Sequence, residues 1–315
     1  MANSIEYAYI FQKNLDQLAV QEAKTGWMEA NAGQVIYNGG NTVKLPKMSL
    51  NGLADYSRES GFVSGAINFS YETLTMSQDR GRKFTLDAMD VDETNFALTA
   101  GAVMGEFQRT QVVPEIDAYR LSKLGAAAVA GSKAEYNYTP AAATILSKIK
   151  AARASIRKQG YTGRIYVHIT SDALTELEIA IGGQLRAATF SQGGLDTTVP
   201  ILDGDTYLIE TADDRMHTAI TLYDGTTGGQ TDGGFVAAGK QMNFIAIAAN
   251  APIAVSKQDK MRIFDPNTYQ DANAWAMDYR RYHELWIPDN KKVLLYANIK
   301  DAQGGGSSSE SESGS

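Results

Sequence analysis

The stretch Asp90–Ala130, DVDETNFALTAGAVMGEFQRTQVVPEIDAYRLSKLGAAAVA, decides how the chain is read. Phe96, Ala100, Val103, Met104 and Phe107 recur at helical spacing and make one apolar stripe. Asp90 or Asp92 supplies an N-cap carboxylate, and Glu93 adds negative charge to the first turn, where it suits the helix dipole. Residues 92–111 then predict a rod of roughly 30 Å at 1.5 Å per residue. Pro114 has no N–H and crowds the carbonyl one turn back, so a kink or break is expected. The other reading is that the proline opens a second helix in its first turn. Ile116, Tyr119, Leu121 and Leu124 resume the helical pattern beyond it. By itself this stripe also fits the core helix of an ordinary enzyme.

Upstream, Tyr7, Ile10, Phe11, Leu15 and Leu18 have the spacing of a short amphipathic helix in an N-terminal arm. Residues 33–88 change character. Gln34–Tyr37 is β-like, Asn38-Gly39-Gly40-Asn41 is a turn signal, and Thr42–Lys47 is extended with Pro46 near an edge. Ser49–Gly61 is polar, and Ile67, Phe69, Tyr71, Thr73 and Thr75 alternate at the strand period. Gln78-Asp79-Arg80-Gly81 reads as a turn, with Lys83–Leu86 pairing back. The expected product is a long β-arm with too few apolar residues for its own core. Such a hairpin is marginal alone and needs another surface, an ordinary one on its own chain or one on another subunit.

Downstream, residues 139–252 predict a compact α/β unit. A helix runs from Thr139 or Pro140 through Ile145, Ile149, Ala152 and Ile156 to Gly160, then a buried strand Arg164–Thr170. Ser171 caps a helix through Leu174, Leu177 and Ile181. Short strands flank Asp203-Gly204-Asp205, and Gln241–Ala249 is a buried strand. The loop 224–234, DGTTGGQTDGG, lacks the Lys-Ser/Thr ending of a phosphate loop and reads as a mobile surface loop. Residues 253–300 return to strands: Ile253–Ser256, the aromatic Trp275–Ile287, a turn at Pro288-Asp289-Asn290, and Lys292–Ile299 closing a hairpin. The last residues, GGGSSSESESGS, are expected to be a disordered tail or linker.

At 315 residues the chain can bury a large core, and 43% hydrophobic with 21% charged residues makes it globular. A net charge of -7 argues against binding nucleic acid through overall charge. The absence of cysteine excludes disulfides, thiolate nucleophiles and Cys-ligated metals. No apolar run approaches the roughly 20 residues that span a membrane, and the N-terminus lacks signal-peptide character. His168, His217 and His283 stand at no metal spacing, and there is no GxSxG. The pairs Asp203/Asp205 and Asp213/Asp214 could hold a cation, but acidic turn residues are usually solvated. Arg280 and Arg281 point to opposite faces of a strand, so at most one serves any single surface; pairing with acids of another subunit is their expected use. No catalytic, cofactor-binding or metal residue is assigned, and no cofactor is implied.

The order of parts then gains meaning. DRGRKFTLDAMDVDET (Asp79–Thr94) runs into the helix, VVPEIDAYRLSKL (Val112–Leu124) follows, and SKQDKMRIFDP (Ser256–Pro266) and DYRRYHELWI (Asp278–Ile287) close the chain. Together these resemble the major capsid protein family of tailed bacteriophages, the Hong Kong phage capsid fold, over nearly the whole chain except the tail. The resemblance implies an α+β fold: N-terminal arm 1–32, extended E-loop β-arm 33–88, spine helix with the helical part of a peripheral domain 89–138, axial domain 139–252, peripheral-domain strands 253–302 and tail 303–315. It implies a non-enzymatic shell protein forming hexamers and pentamers around double-stranded DNA, without sequence-specific binding. Implied partners are a separate scaffolding protein, a portal and head-completion proteins, with no membrane. The implied location is the virion, and the bacterial host cytoplasm during assembly. Some family members cross-link an E-loop Lys to a neighbour's Asn; Lys44 and Lys47 are available here, but no Asn or Glu matches the motif, so that activity is not carried over. The alternatives are an encapsulin-type nanocompartment shell and a soluble metal-dependent α/β enzyme.

Overall fold

The computed structural model describes residues 23–34, 36–37, 41–59, 61–87, 103–183, 185–192 and 195–303. The expected N-terminal helix, the Asn38–Gly40 turn, the first half of the Asp90–Ala130 helix and the Gly/Ser/Glu tail lie outside the described residues. Among the described residues the strands form three sheets. The first holds β1 (Ile36–Tyr37), β2 (Thr42–Leu50) and β3 (Ile67–Thr75). The second has eight strands, with β5 (Ala134–Glu135), β14 (Leu295–Ile299), β11 (Phe235–Ala248), β6 (Ile165–Ile169), β9 (Thr206–Glu210), β8 (Leu195–Leu202) and β7 (Arg186–Gln192) in spatial order. Its eighth strand, β10 (His217–Leu222), pairs with β11. The third sheet orders β12 (Ile253–Phe264), β13 (Ala274–Trp286) and β4 (Gln78–Asp87).

A helix runs without a break through Pro114. Residues 103–107 are α-helical, Gln108–Val112 form a π turn, and α1 spans Val113–Ala130 with the proline in its first turn. Val113 N–H bonds the Gln108 carbonyl, five residues back. The wider turn accommodates a residue that cannot donate, so the expected break does not occur; proline sits where its missing N–H costs least. α1 is buried nearly all round, which marks it as central to the subunit. Gly125 lets it lie tight on the large sheet, because an added Cβ would stand 2.7 Å from Met242 Sδ.

The large sheet carries the main core. α2 (Ile145–Arg157) presents Ile145, Ile149, Ala152 and Ile156, all fully buried, at the predicted helical spacing. Each such isoleucine contributes about 1.5–3 kcal/mol of burial. α3 (Ser171–Ala180) seats Ala173 and Leu177. β6 is buried along its whole length. Tyr166 and His168 share one of its faces, and Trp27 covers them: its ring stacks 4.0 Å from Tyr166 and its Nε1 donates to His168 Nε2 at 3.2 Å. That bond requires neutral imidazole at Nε2, and Nδ1 faces Thr211 Oγ1 at 3.1 Å.

This histidine gives the first expected result. Burial, with Lys24 nearby, pushes the His168 pKa down from 6.5 to about 3, and burial beside Arg281 and Arg120 lowers that of His283. A depressed histidine takes up its proton in the unfolded chain first. Stability is therefore full above about pH 6.5 and is lost as pH falls toward 3. Thermal melts between pH 7 and 5 should show a drop approaching about 1.4 kcal/mol per pH unit for each such group. His168→Gln should make that slope shallower; an unchanged slope would contradict the assignment.

Two strand pairings differ from the sequence expectation. β4 does not fold back on β3 but pairs with β13 from Gln78↔His283 to Asp87↔Ala274. Its Phe84 and Leu86 pack with Met104, Phe107 and Met277, which is more apolar surface than the arm could offer. Gly81, read as a turn residue, lies in this strand at a close approach, where a Cβ would meet Tyr279 O at 2.8 Å. Likewise β14 does not close a hairpin on β13. A 3-10 turn, Asp289–Leu294, redirects the chain, and β14 lies between β5 and β11 in the large sheet. There Leu295, Ala297 and Ile299 are fully buried.

Candidate functional site

The candidate functional surface is the arm formed by β2 and β3. Its antiparallel ladder runs from Thr42↔Thr75 to Leu50↔Ile67. Directly paired residues share a face, so Leu50/Ile67, Met48/Phe69 and Pro46/Tyr71 lie together on one side. Val43/Leu74 and Leu45/Glu72 lie on the other. Near the root this second face is buried: Val43 and Leu45 pack with Met76, Ile253, Val255, Tyr282 and Trp286. Further out the same face becomes polar, with Lys47, Asn68 and Ser70, and the first face becomes apolar and open. Ile67 is 71% and Phe69 56% exposed, and the rings of Phe69 and Tyr71 meet edge-on at 5.0 Å. The arm thus buries one face on its own chain and turns the opposite apolar face outward. Contiguous exposed apolar residues on a folded chain make this face a candidate interaction surface.

The root is fixed by hydrogen bonds as well as by packing. Trp286 Nε1 donates to Thr75 O at 3.3 Å and Tyr282 O–H to Met76 O at 3.1 Å. The buried carboxylate of Glu284 accepts from Ser77 N–H at 2.9 Å and Ser77 O–H at 2.7 Å. Its other oxygen accepts from Tyr119 O–H and Lys123 Nζ, both at 2.5 Å. One side chain therefore ties the arm root to the central helix. Burial alone would raise its pKa, but these hydrogen bonds bring it below the ordinary value. A second buried carboxylate, Asp117 on α1, is 0% exposed and accepts from the backbone of Lys24 and Thr25, from Thr25 O–H and from Arg215. Its neighbour Arg120 donates to Thr25 O and to Glu29. The central helix thus holds the segment at 24–29 on one side and the arm root on the other.

The side chains singled out in the sequence go elsewhere. Asp203 and Asp205 are occupied by Lys150, Arg153 and Arg157, so this turn is an ion-pair cluster. Asp214 faces Arg215 at 4.0 Å. Among the described residues no group of His, Asp or Glu could hold a metal ion. Arg280 and Arg281 do point to opposite faces, but both pair within the chain: Arg280 with Asp79, Arg281 with Asp259 and Glu29. Lys47 lies 3.9 Å from Asp289, and Lys44 stands over the Tyr71 ring. The glycine-rich loop is tied down: Arg80 donates to Tyr223 O and Gly234 O while paired to Glu115, and Arg82 donates to Thr231 O. Between this loop, β4 and the π turn lies a cavity of about 430 Å³.

No protein-family model matches the sequence, and no curated protein does. Solved structures do match the fold. The mature capsid of bacteriophage PhiM1 superposes with TM-score 0.56 at 9% identity, covering 84% of this chain and 83% of that one. The capsid of cyanophage P-SCSP1u gives TM-score 0.56 at 10% identity, with 84% of each chain covered. A chain from Mycobacterium phage Adephagia gives 0.54 at 11% identity, covering 88% and 91%. This is the tailed-phage capsid fold. The likeness covers 84–88% of this chain, and the capsid fold is α+β as the sequence resemblance implied. Sequence reasoning missed the residues that build this capsid fold's joints: Asp117, Arg120 and Glu284. The signal available was polar and charged residues placed on the all-apolar faces of VVPEIDAYRLSKL and DYRRYHELWI, where buried charges must find partners.

Proposed function

We propose that the chain is the major shell protein of a tailed phage, assembling with copies of itself as hexamers and pentamers into a closed icosahedral head around double-stranded DNA. The observation that carries this reading is the outward apolar face of the arm, which its own chain leaves open. The superposed structures from PhiM1 and P-SCSP1u are phage capsids, which agrees with it. In this reading 33–88 is the extended loop that overlaps a neighbour, with its last strand β4 in the peripheral sheet; 89–138 is the spine, 139–252 the axial domain, 253–302 the peripheral strands except β14, which joins the axial sheet, and 1–32 an N-terminal arm. A separate scaffolding protein, a portal and head-completion proteins are its further partners. The chain works in the virion after assembly in the host cytoplasm, in a structural rather than an enzymatic role. Sedimentation velocity on the purified chain tests the reading: species in the megadalton range support it, and a monomer at every concentration, with or without co-expressed neighbouring genes, overturns it.

A packaged genome has to be confined yet remain free to leave. With net charge -7, the chain should bind duplex DNA weakly, because little counterion release is available. Filter binding at physiological salt should give no submicromolar affinity. A submicromolar Kd would contradict this part of the account.

A further inference from the structure

We infer that the large sheet holds a site for a covalent bond of the chain's own making: Lys148 Nζ attacks the side-chain amide of Asn298, with Glu135 between them, and leaves an isopeptide bond from α2 to β14. Both partners belong to one subunit and lie outside the arm, so the inference stands apart from the shell reading. β5 and β14 pair in parallel with Glu135 opposite Asn298, and α2 brings Lys148 to the same carboxylate. Lys148 Nζ donates to Glu135 Oε1, and Asn298 Nδ2 donates to Glu135 Oε2 at 3.1 Å. One carboxylate thus touches both the nitrogen that arrives and the nitrogen that leaves. Asn298 Oδ1, where negative charge gathers in the reaction, accepts from Asn243 Nδ2 at 2.8 Å. Asn243 is itself fixed by donating to Tyr138 O at 2.6 Å. Asn298 is fully buried and Asn243 nearly so, which keeps water from competing for these bonds.

The step balances without a co-reactant. Glu135 takes a proton from the Lys148 ammonium, and the freed lone pair forms the bond to Asn298 Cγ. Asn243 Nδ2 holds the oxyanion that results. Glu135 relays two protons in turn from Nζ to Nδ2, the Cγ–Nδ2 bond breaks with its electron pair going to nitrogen, and ammonium leaves. One ammonium is consumed and one released, so charge is conserved. The Lys148 and Glu135 side chains are 32% and 28% exposed, which gives the ion a way out. The hydrogen bond from Lys148 to Glu135 holds the amine's pKa above its ordinary value, and Tyr138 and Tyr296 beside it add to this. The first proton transfer therefore limits the rate, and the bond forms faster as pH rises.

Mass spectrometry of the full chain, held folded at neutral and at alkaline pH, tests this. The expected result is an intact mass lower by one ammonia, sooner at alkaline pH, and a proteolytic digest containing a branched peptide that joins Lys148 to Asn298. Lys148→Arg keeps the charge and the ion pair but should give no branched peptide. Glu135→Gln should form it about a hundredfold more slowly, the scale of a lost proton relay. Loss of ammonia without the branched peptide is the mark of ring closure at another asparagine and overturns the inference. A wild-type mass that stays at the sequence value at both pH values also overturns it, whether or not the variants fold. Formation at the wild-type rate in Glu135→Gln overturns the role of Glu135. Because the bond lies within one subunit, each of these results leaves the shell reading where sedimentation puts it.

Discussion

A chain carrying Met48→Ser, Phe69→Ser and Tyr71→Ser should fold and melt like wild type, yet form no closed particles. All three residues lie on the outward face of the arm and are more than half exposed, so the subunit loses almost nothing. Exposed substitutions of this kind shift stability by about 0.5 kcal/mol or less. In the proposed shell the contact they would make with a neighbour repeats at every subunit, so small losses per contact multiply into failure of assembly. Conservative placement matters here. Deleting the whole arm from Thr42 to Thr75 would also strip Val43, Leu45 and Leu74 from the cluster around Trp286, and would confuse folding with assembly. Melting temperature and electron microscopy on the triple variant separate the two. Normal shells from it would contradict a role for this face.

Glu284→Ala should be destabilising by about 1.5–3 kcal/mol, the range for hydrogen bonds to a charged group, because Lys123 is 38% exposed and water can take up its charge. The substitution strands Lys123, Tyr119 O–H and both donors of Ser77 at one point. Glu284→Gln keeps the shape but loses the charge opposite Lys123, so it should fall between wild type and Ala. Denaturant unfolding measures the order wild type, Gln, Ala. Because the residue joins the arm root to the central helix, arm amides around Ser77 should also lose hydrogen-exchange protection in the Gln variant before the large sheet does. A cost below about 1 kcal/mol for Ala would mean that packing around Trp286 holds the arm by itself.

Much of this was legible because it is local. The isoleucine spacing in α2 and the apolar run of β6 are set by residues a few positions apart, and the structure follows them; Ile67–Thr75 forms the expected strand, but the alternating face expected to be half-buried, Ile67, Phe69 and Tyr71, is the exposed one. What the sequence hid is long-range. Gln78–Gly81 has the composition of a turn, and only the position of Tyr279, brought alongside by β13, makes Gly81 a strand residue. The sign of the arm's two faces is another case. Alternation says that one face is apolar, but the switch at Pro46 depends on Trp286 and Ile253, more than 200 residues away. Asp117 and Glu284 sit among apolar neighbours in their segments, which hints at burial, but their partners could not be named from sequence because the donors arrive from distant segments.

The account stands most directly on one measurement: negative-stain electron microscopy of the wild-type chain beside the Met48, Phe69, Tyr71 triple variant, purified together in the same buffer. It predicts closed, uniform shells from the wild type and only free subunits or open fragments from the variant. Shells of equal number and size from both, or no shells from the wild type, would contradict it.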